Sequence, residues 1–276
     1  MSGGLTAPKA SPERASELHE SLQEIRQRVR QAIASSAPVD RQPTLVAVSK
    51  YKPASDVLAC FELGQIDFGE NYVQELVDKA EQLPTEIRWH FIGTLQSNKA
   101  KILASIPNLY AVQTVTSTKA ATALNKALPA ERTSPLNVLV QVNTSGEDNK
   151  SGLPPLPSDA TEPDLVQLAR HIIVQCPRLH LQGLMTIGSL AESLSSTEKP
   201  NEDFERLVRT RDLLQEALVQ AGFSTDGDRW GEGGKLLLSM GMSSDFEAAL
   251  NSGSDIVRVG TGIFGTRLQK EEIKSV

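Results

Sequence analysis

The chain has 276 residues, enough for one large domain or two ordinary ones. Its formal net charge of −6 argues against a nucleic-acid-binding face, which needs clustered Lys and Arg. Its two cysteines, Cys60 and Cys176, have neither metal-ligand spacing nor histidine neighbours. They read as reduced thiols and speak against a zinc site. No apolar run approaches the roughly 20 residues of a membrane span. Residues 1–11 lack an apolar signal core and an Arg-rich amphipathic pattern, so they read as a disordered tail, and the expected compartment is cytoplasmic, with the mitochondrion as the alternative.

Ser11 and Pro12 open the first helix as N-cap and first helical residue. Leu18, Leu22, Ile25, Val29 and Ile33 recur at helical spacing, so one face packs on the rest of the protein. The stretch from Ser35 to Pro43 ends it. From there short apolar segments alternate with amphipathic ones. The expected strands are Thr44–Ser49, Asp67–Phe68, Arg88–Ile92, Tyr110–Gln113, Asn137–Asn143, Leu179–Met185, Lys235–Leu238 and Asp255–Val259. The expected helices between them are Ala54–Leu63, Val73–Leu83, Ser97–Ala104, Ser117–Leu128, Asp164–Gln175, Asp203–Ala221 and Ser244–Asn251.

Strict alternation implies a parallel sheet with right-handed crossovers. The pattern predicts an α/β protein: a single (β/α)8 TIM-type barrel with an extra N-terminal helix, spanning residues 12–270. A doubly wound open sheet is the alternative, weakened because no G-x-G-x-x-G turn follows the first strand. Three stretches, Gly146–Glu162, Gly188–Pro200 and Ser224–Gly234, are loops by composition.

Lys50 stands at the exit of the first strand, after Leu45-Val46-Ala47-Val48-Ser49. Burial lowers an ammonium pKa, and a neutral amine attacks carbonyls, so one reading is a Schiff-base lysine. The other is a lysine that snorkels to solvent. In such barrels the active site lies at the C-terminal ends of the strands. Those ends carry Lys50, Glu70-Asn71-Tyr72, His90, Gln113, Asn143, Met185-Thr186, Ser239 and Arg258, a polar set that would converge on one mouth.

Two glycine-containing loops follow the last two strands: Ser239-Met240-Gly241-Met242-Ser243-Ser244-Asp245 and Gly260-Thr261-Gly262-Ile263-Phe264-Gly265. A helix start at Ser243 or Ser244 offers free N–H groups to an anion, and phosphate sites in these barrels are often built there. Alternatively, Ser243 only caps a helix and the glycines only turn the chain. A Schiff-base lysine facing a phosphate cradle suits pyridoxal 5′-phosphate, or a sugar phosphate cleaved by an aldolase.

Several ordered motifs sharpen the choice. They are Val48-Ser49-Lys50 with Lys52-Pro53, Phe68-Gly69-Glu70-Asn71-Tyr72, Trp89-His90-Phe91-Ile92-Gly93 with Leu95-Gln96 and Asn98-Lys99, Gly183-Leu184-Met185-Thr186-Ile187-Gly188, Leu238-Ser239-Met240-Gly241-Met242-Ser243, and Val257-Arg258-Val259-Gly260-Thr261 with Ile263-Phe264-Gly265. Together, over Leu45 to Arg267, they resemble the pyridoxal phosphate homeostasis protein family. The resemblance implies an alanine-racemase-like barrel without the racemases' extra β domain. It implies that Lys50 forms the aldimine with pyridoxal 5′-phosphate and that Arg258 faces the pyridine nitrogen. Ser243, Gly260 and Thr261 would hold the phosphate, with Ser239 and Met242 near it, and Asn71 and His90 would line the pocket. The implied role is a non-catalytic binder that supplies the cofactor to apo-enzymes, as a monomer or weak dimer, with no metal. The alternative is a racemase-like enzyme.

A cation beside the pyridine nitrogen disfavours its protonation and weakens the ring as an electron sink, which suits binding or limited proton-transfer chemistry better than broad transamination. Pairing of Arg258 with Asp255 or Glu70 would remove that argument. Lys52 is the competitor for the aldimine. His19, His171 and His180 have no metal-ligand spacing. The stretches Gly227–Gly234 and the Pro-rich loop after Lys150 look longer than the family pattern.

Overall fold

A computed structural model describes residues 8–35, 42–157, 162–189, 192, 200–224 and 230–266. The tail expectation at residues 1–7, the domain end at 267–270 and parts of all three long loops lie outside the described residues.

The described chain runs α1 (Pro12–Ser35), β1 (Thr44–Val48), α2 (Ala54–Glu62), β2 (Asp67–Glu70), α3 (Val73–Gln82), β3 (Arg88–Phe91), α4 (Ala100–Ala104), β4 (Leu109–Val115), α5 (Thr118–Ala127), β5 (Leu136–Gln141), α6 (Asp164–Gln175), β6 (Leu179–Met185), α7 (Glu202–Gln220), β7 (Leu237–Ser239), α8 (Phe246–Asn251), β8 (Ile256–Val259) and α9 (Thr261–Phe264). The strands close into a barrel in chain order, and every neighbouring pair is parallel. The open-sheet alternative is thereby excluded.

Closure follows from the side-chain pattern. Alternate strand residues face opposite sides of a sheet. Ala47, Phe68, Trp89, Phe91, Val138, Val140, Leu184, Leu238 and Val257 join the large cluster beneath the helices. Val46, Ala111, Leu139, Met185, Leu237 and Ile256 form a second, smaller cluster inside the barrel. Both faces are buried, as parallel strands require. α1 packs on α2, α8 and α9, over the seam where β8 meets β1. Its start is capped as expected, the Arg14 N–H donating to Ser11 Oγ at 3.2 Å. Arg14 also pairs with Asp56 at 2.7 Å and donates to the Phe264 carbonyl, fastening α1 to α2 and α9.

The structure departs from the expected elements in three places. The segment from Ser97 begins with a 3-10 turn, Ser97–Lys99, before α4. α8 starts at Phe246, not at Ser243 or Ser244, because Asp245 closes a turn first: its N–H donates to the Met242 carbonyl and its Oδ1 accepts from the Met242 N–H at 2.6 Å. α9 stands where the sequence shows only a glycine-rich loop; Ile263 and Phe264 bury there and draw the chain into one helical turn.

Candidate functional site

Val46 faces the barrel interior, so the pleat carries Val48 and Lys50 to the same side and turns Ala47 and Ser49 toward the helices. Lys50 is half-buried at the strand exit. The alternation breaks at Tyr51, whose φ of 62° lies in the left-handed region. The Lys52 N–H returns to the Ser49 carbonyl at 2.9 Å, and the Lys52 ammonium donates to the Thr266 carbonyl at 2.9 Å. The two lysines therefore part company: Lys52 is tied to the end of α9.

Beneath Lys50 lies Arg258, level with Val46 across the β8–β1 pair. Its Nη1 donates to Ser239 Oγ at 2.6 Å and its Nη2 to the Thr186 carbonyl at 2.8 Å. Both acceptors are neutral. Burial pulls the guanidinium down to about 10, with Asp245 offsetting part of the effect. The two carboxylates that the sequence offered as partners are engaged elsewhere, Asp255 by the Leu238 N–H and Glu70 by Lys79. A buried cation with only neutral hydrogen-bond partners is an acceptor-seeking group.

Arg258 ends a chain of hydrogen bonds that crosses the barrel. Ser239 Oγ donates to Gln113 Oε1 at 2.6 Å. Gln113 Nε2 lies 3.0 Å from His90 Nδ1, and His90 Nε2 lies 2.9 Å from Asp67 Oδ1. An amide NH2 can only donate, so His90 Nδ1 accepts and the ring proton sits on Nε2, facing the carboxylate. Arg88 completes the series at Asp67 Oδ2, 2.5 Å away. Burial alone would raise the Asp67 carboxyl, but His90 and Arg88 together hold it below the usual 3.8.

The loops after β7 and β8 meet at Ser243. Its Oγ accepts from the Gly260 N–H at 3.2 Å and from the Gly262 N–H at 3.4 Å. Two backbone donors thus converge on one oxygen position. A side chain at Gly260 would press on Val48, 3.4 Å from its Cβ, which sets this loop against the strand that ends in Lys50. At Gly241, φ is 91° and a Cβ would lie 2.5 Å from that of Ala249, so the turn admits no side chain.

Asn71 caps the opposite side of the rim. The loops after β2 and β3 touch so closely that a Cβ on Gly93 would fall 1.8 Å from the Asn71 carbonyl oxygen. Asn71 Oδ1 is buried without a hydrogen-bond partner. The structure thus brings Lys50, Asn71, Met242, Ser243, Gly260 and Thr261 to the rim, with Ser239 and Arg258 one layer down. His90 sits deeper, 0 % exposed, and reaches Arg258 only through Gln113 and Ser239. The Met242 N–H is already taken by Asp245. Asp67 escaped the sequence reading because it begins its strand, away from the rim; its position two residues before Gly69, on the same inner face, is the signal that would have found it.

These donors fit a phosphorylated pyridine aldehyde. The buried cation offers a partner for a ring nitrogen, the Ser243 locus offers donors for a phosphate oxygen, and the orphaned Asn71 oxygen awaits a donor. Barrel and rim together define the class: an alanine-racemase-type barrel with an amine at the end of β1. A family model described as "Alanine racemase, N-terminal domain" matches residues 21–268. The chain belongs to the pyridoxal phosphate homeostasis protein family. A mouse member is 45% identical over 232 residues, covering 82% of this chain and 77% of its own; a fission-yeast member is 43% identical over 227 residues, covering 82% and 85%. Among solved structures, PipY of Synechococcus elongatus with PLP bound is 28% identical with a TM-score of 0.67, covering 90% of this chain and 100% of its own. Alanine racemase from E. faecalis shares the fold alone, at 17% identity and a TM-score of 0.59, and this chain spans 58% of its length.

Proposed function

We propose that this protein binds pyridoxal 5′-phosphate at the barrel mouth, holds it covalently through Lys50 and serves its homeostasis by surrendering it to apo-enzymes. The observation that carries the reading is the buried Arg258, a cation with neutral hydrogen-bond partners one layer below a half-buried lysine. The cofactor supplies an aldehyde that an amine captures reversibly and a ring that withdraws electrons. Lys50 presents the amine. Arg258 keeps the ring nitrogen unprotonated, since a second proton beside a guanidinium is disfavoured. Ser243, Gly260 and Thr261 take the phosphate, with Ser239 and Met242 flanking it. Asn71 contacts the cofactor, and His90 acts from below by fixing Gln113 and Ser239. Residues 12–270 form the binding unit.

Arg258 supports a holding role, because an unprotonated ring is a weak electron sink that suits retention or limited proton transfer better than broad transamination. The cytosol is the compartment that suits such a role. Among the described residues no helix is long and apolar enough to cross a membrane, and no cluster of His, Cys, Asp and Glu could hold a metal. One observation favours a racemase-like alternative: the exposed hydroxyls of Tyr51, the residue after Lys50, and Tyr72 are hydrogen-bonded to each other, and a phenol can serve as a second acid or base. Two assays separate the readings. Loaded protein mixed with an apo-enzyme should restore that enzyme's activity, and free amino acids incubated with it in D2O should keep their Cα protons. Rapid Cα exchange would favour the enzyme, and failure to reactivate any apo-enzyme would remove the supply role.

A further inference from the structure

We infer that the buried ion cluster of Lys79, Glu70 and Glu75 is a positioning device for Lys50, an inference that rests on Lys50 being the point of attachment. Lys79 projects from α3 with its side chain 6% exposed. Its ammonium lies 2.5 Å from Glu70 Oε1, 2.8 Å from Glu75 Oε1 and 2.8 Å from the Ser49 carbonyl oxygen. Ser49 Oγ donates to the same Glu70 oxygen at 2.6 Å, and the Tyr51 N–H donates to Glu75 Oε1 at 2.6 Å. The residues immediately before and after Lys50 are therefore both fastened to one cluster.

The cluster stands behind the strand. Ser49 points toward the helices while Lys50 points into the barrel, so Lys79 acts on the pocket only through the backbone of residues 49–51. That backbone needs holding, because Tyr51 adopts a left-handed conformation that L residues avoid. A purely structural role explains the cluster less well. A buried ion pair stabilises no better than an apolar pair of similar volume, and Leu76 already packs α3 on the sheet. Glu70 bears the cost visibly: burial raises its carboxyl pKa despite Lys79, and its Oε2 has no partner. What the cluster supplies is a fixed exit vector for Lys50, and attachment to a carbonyl is steep in such geometry.

The test uses the full chain and four variants: Lys79→Met, Lys79→Arg, Glu75→Ala and Glu75→Gln. Each is measured for melting temperature without ligand, and for the rate at which pyridoxal 5′-phosphate and borohydride fix a pyridoxyl group on Lys50, read by peptide mapping. Glu75→Ala should melt within a few degrees of wild type yet label Lys50 about tenfold more slowly, the effect of one lost charge-assisted hydrogen bond. Glu75→Gln, which keeps an acceptor for the Tyr51 N–H, should recover most of the rate. Lys79→Met should lose more, and Lys79→Arg should recover part of it. Unchanged labelling in Glu75→Ala overturns the proposal even if Lys79→Met fails to fold. Wild-type protein labelled elsewhere than Lys50 overturns the attachment reading itself, a result distinct from the former.

Discussion

Replacing Arg258 by Met separates binding from stability. Arg258 is fully buried, and burial pulls its guanidinium well below its usual value, down to about 10. A depression of that size means that keeping the charge inside costs on the order of 3 kcal/mol. Two hydrogen bonds offset it, to Ser239 Oγ and to the Thr186 carbonyl. When the guanidinium goes, Ser239 keeps Gln113 as a partner, while the Thr186 carbonyl loses its donor, a loss of ~1–3 kcal/mol. Met fills much of the vacated volume. The opposing effects nearly cancel, so the unliganded variant should melt within about 6 °C of wild type. Its affinity for pyridoxal 5′-phosphate should fall at least ~tenfold, the equivalent of about 1.4 kcal/mol of lost contact with the ring. Thermal melts and equilibrium dialysis measure the two quantities. A melting point lowered by more than about 15 °C, or an unchanged affinity, would refute the reasoning, since Arg258 would then be a structural residue.

Three further outcomes are expected. The Asp67 carboxyl is held below its usual 3.8, so it binds its proton more weakly folded than unfolded; it adds stability above pH 3.8 that is lost as pH falls through the folded value. Asp67→Asn should therefore flatten the acid limb of a stability–pH curve measured by urea unfolding, and a limb of unchanged steepness would count against the Arg88–Asp67–His90 arrangement. Ser243→Ala should reduce discrimination between pyridoxal 5′-phosphate and pyridoxal by roughly tenfold while leaving pyridoxal binding alone, as removal of one hydroxyl from an anion site implies. Gly93→Ala should destabilise the fold strongly, since its Cβ would fall 1.8 Å from a backbone oxygen; a soluble variant of normal melting temperature would mean that the loops after β2 and β3 are not in contact.

The barrel was legible because its cues are local. Runs such as Leu45–Val48 and Val138–Val140 announce buried strands, and most element limits fall within two residues of those expected. Lys50 was legible because a lysine after such a run is chemically out of place. The path from Asp67 through His90 and Gln113 to Ser239 was not, because it joins β2, β3, β4 and β7 through single side-chain contacts that no spacing rule encodes. Lys79 was hidden for a related reason: it looks like any charged residue on an amphipathic helix until Glu70 is seen to face outward from β2. α9 escaped notice because Gly260, Gly262 and Gly265 read as a turn, while the burial of Ile263 and Phe264 against the N-terminal helix is a tertiary effect.

Which amine holds the cofactor is the central question for this protein. Wild-type protein and Lys50→Ala, each incubated with pyridoxal 5′-phosphate, reduced with borohydride and mapped by mass spectrometry, give the most direct answer. The wild type should carry one pyridoxyl group on the peptide containing Lys50, and the variant should carry none and lack the absorbance band at the violet edge of the visible range. A band retained in Lys50→Ala, or a wild-type label on Lys52, would contradict attachment at Lys50.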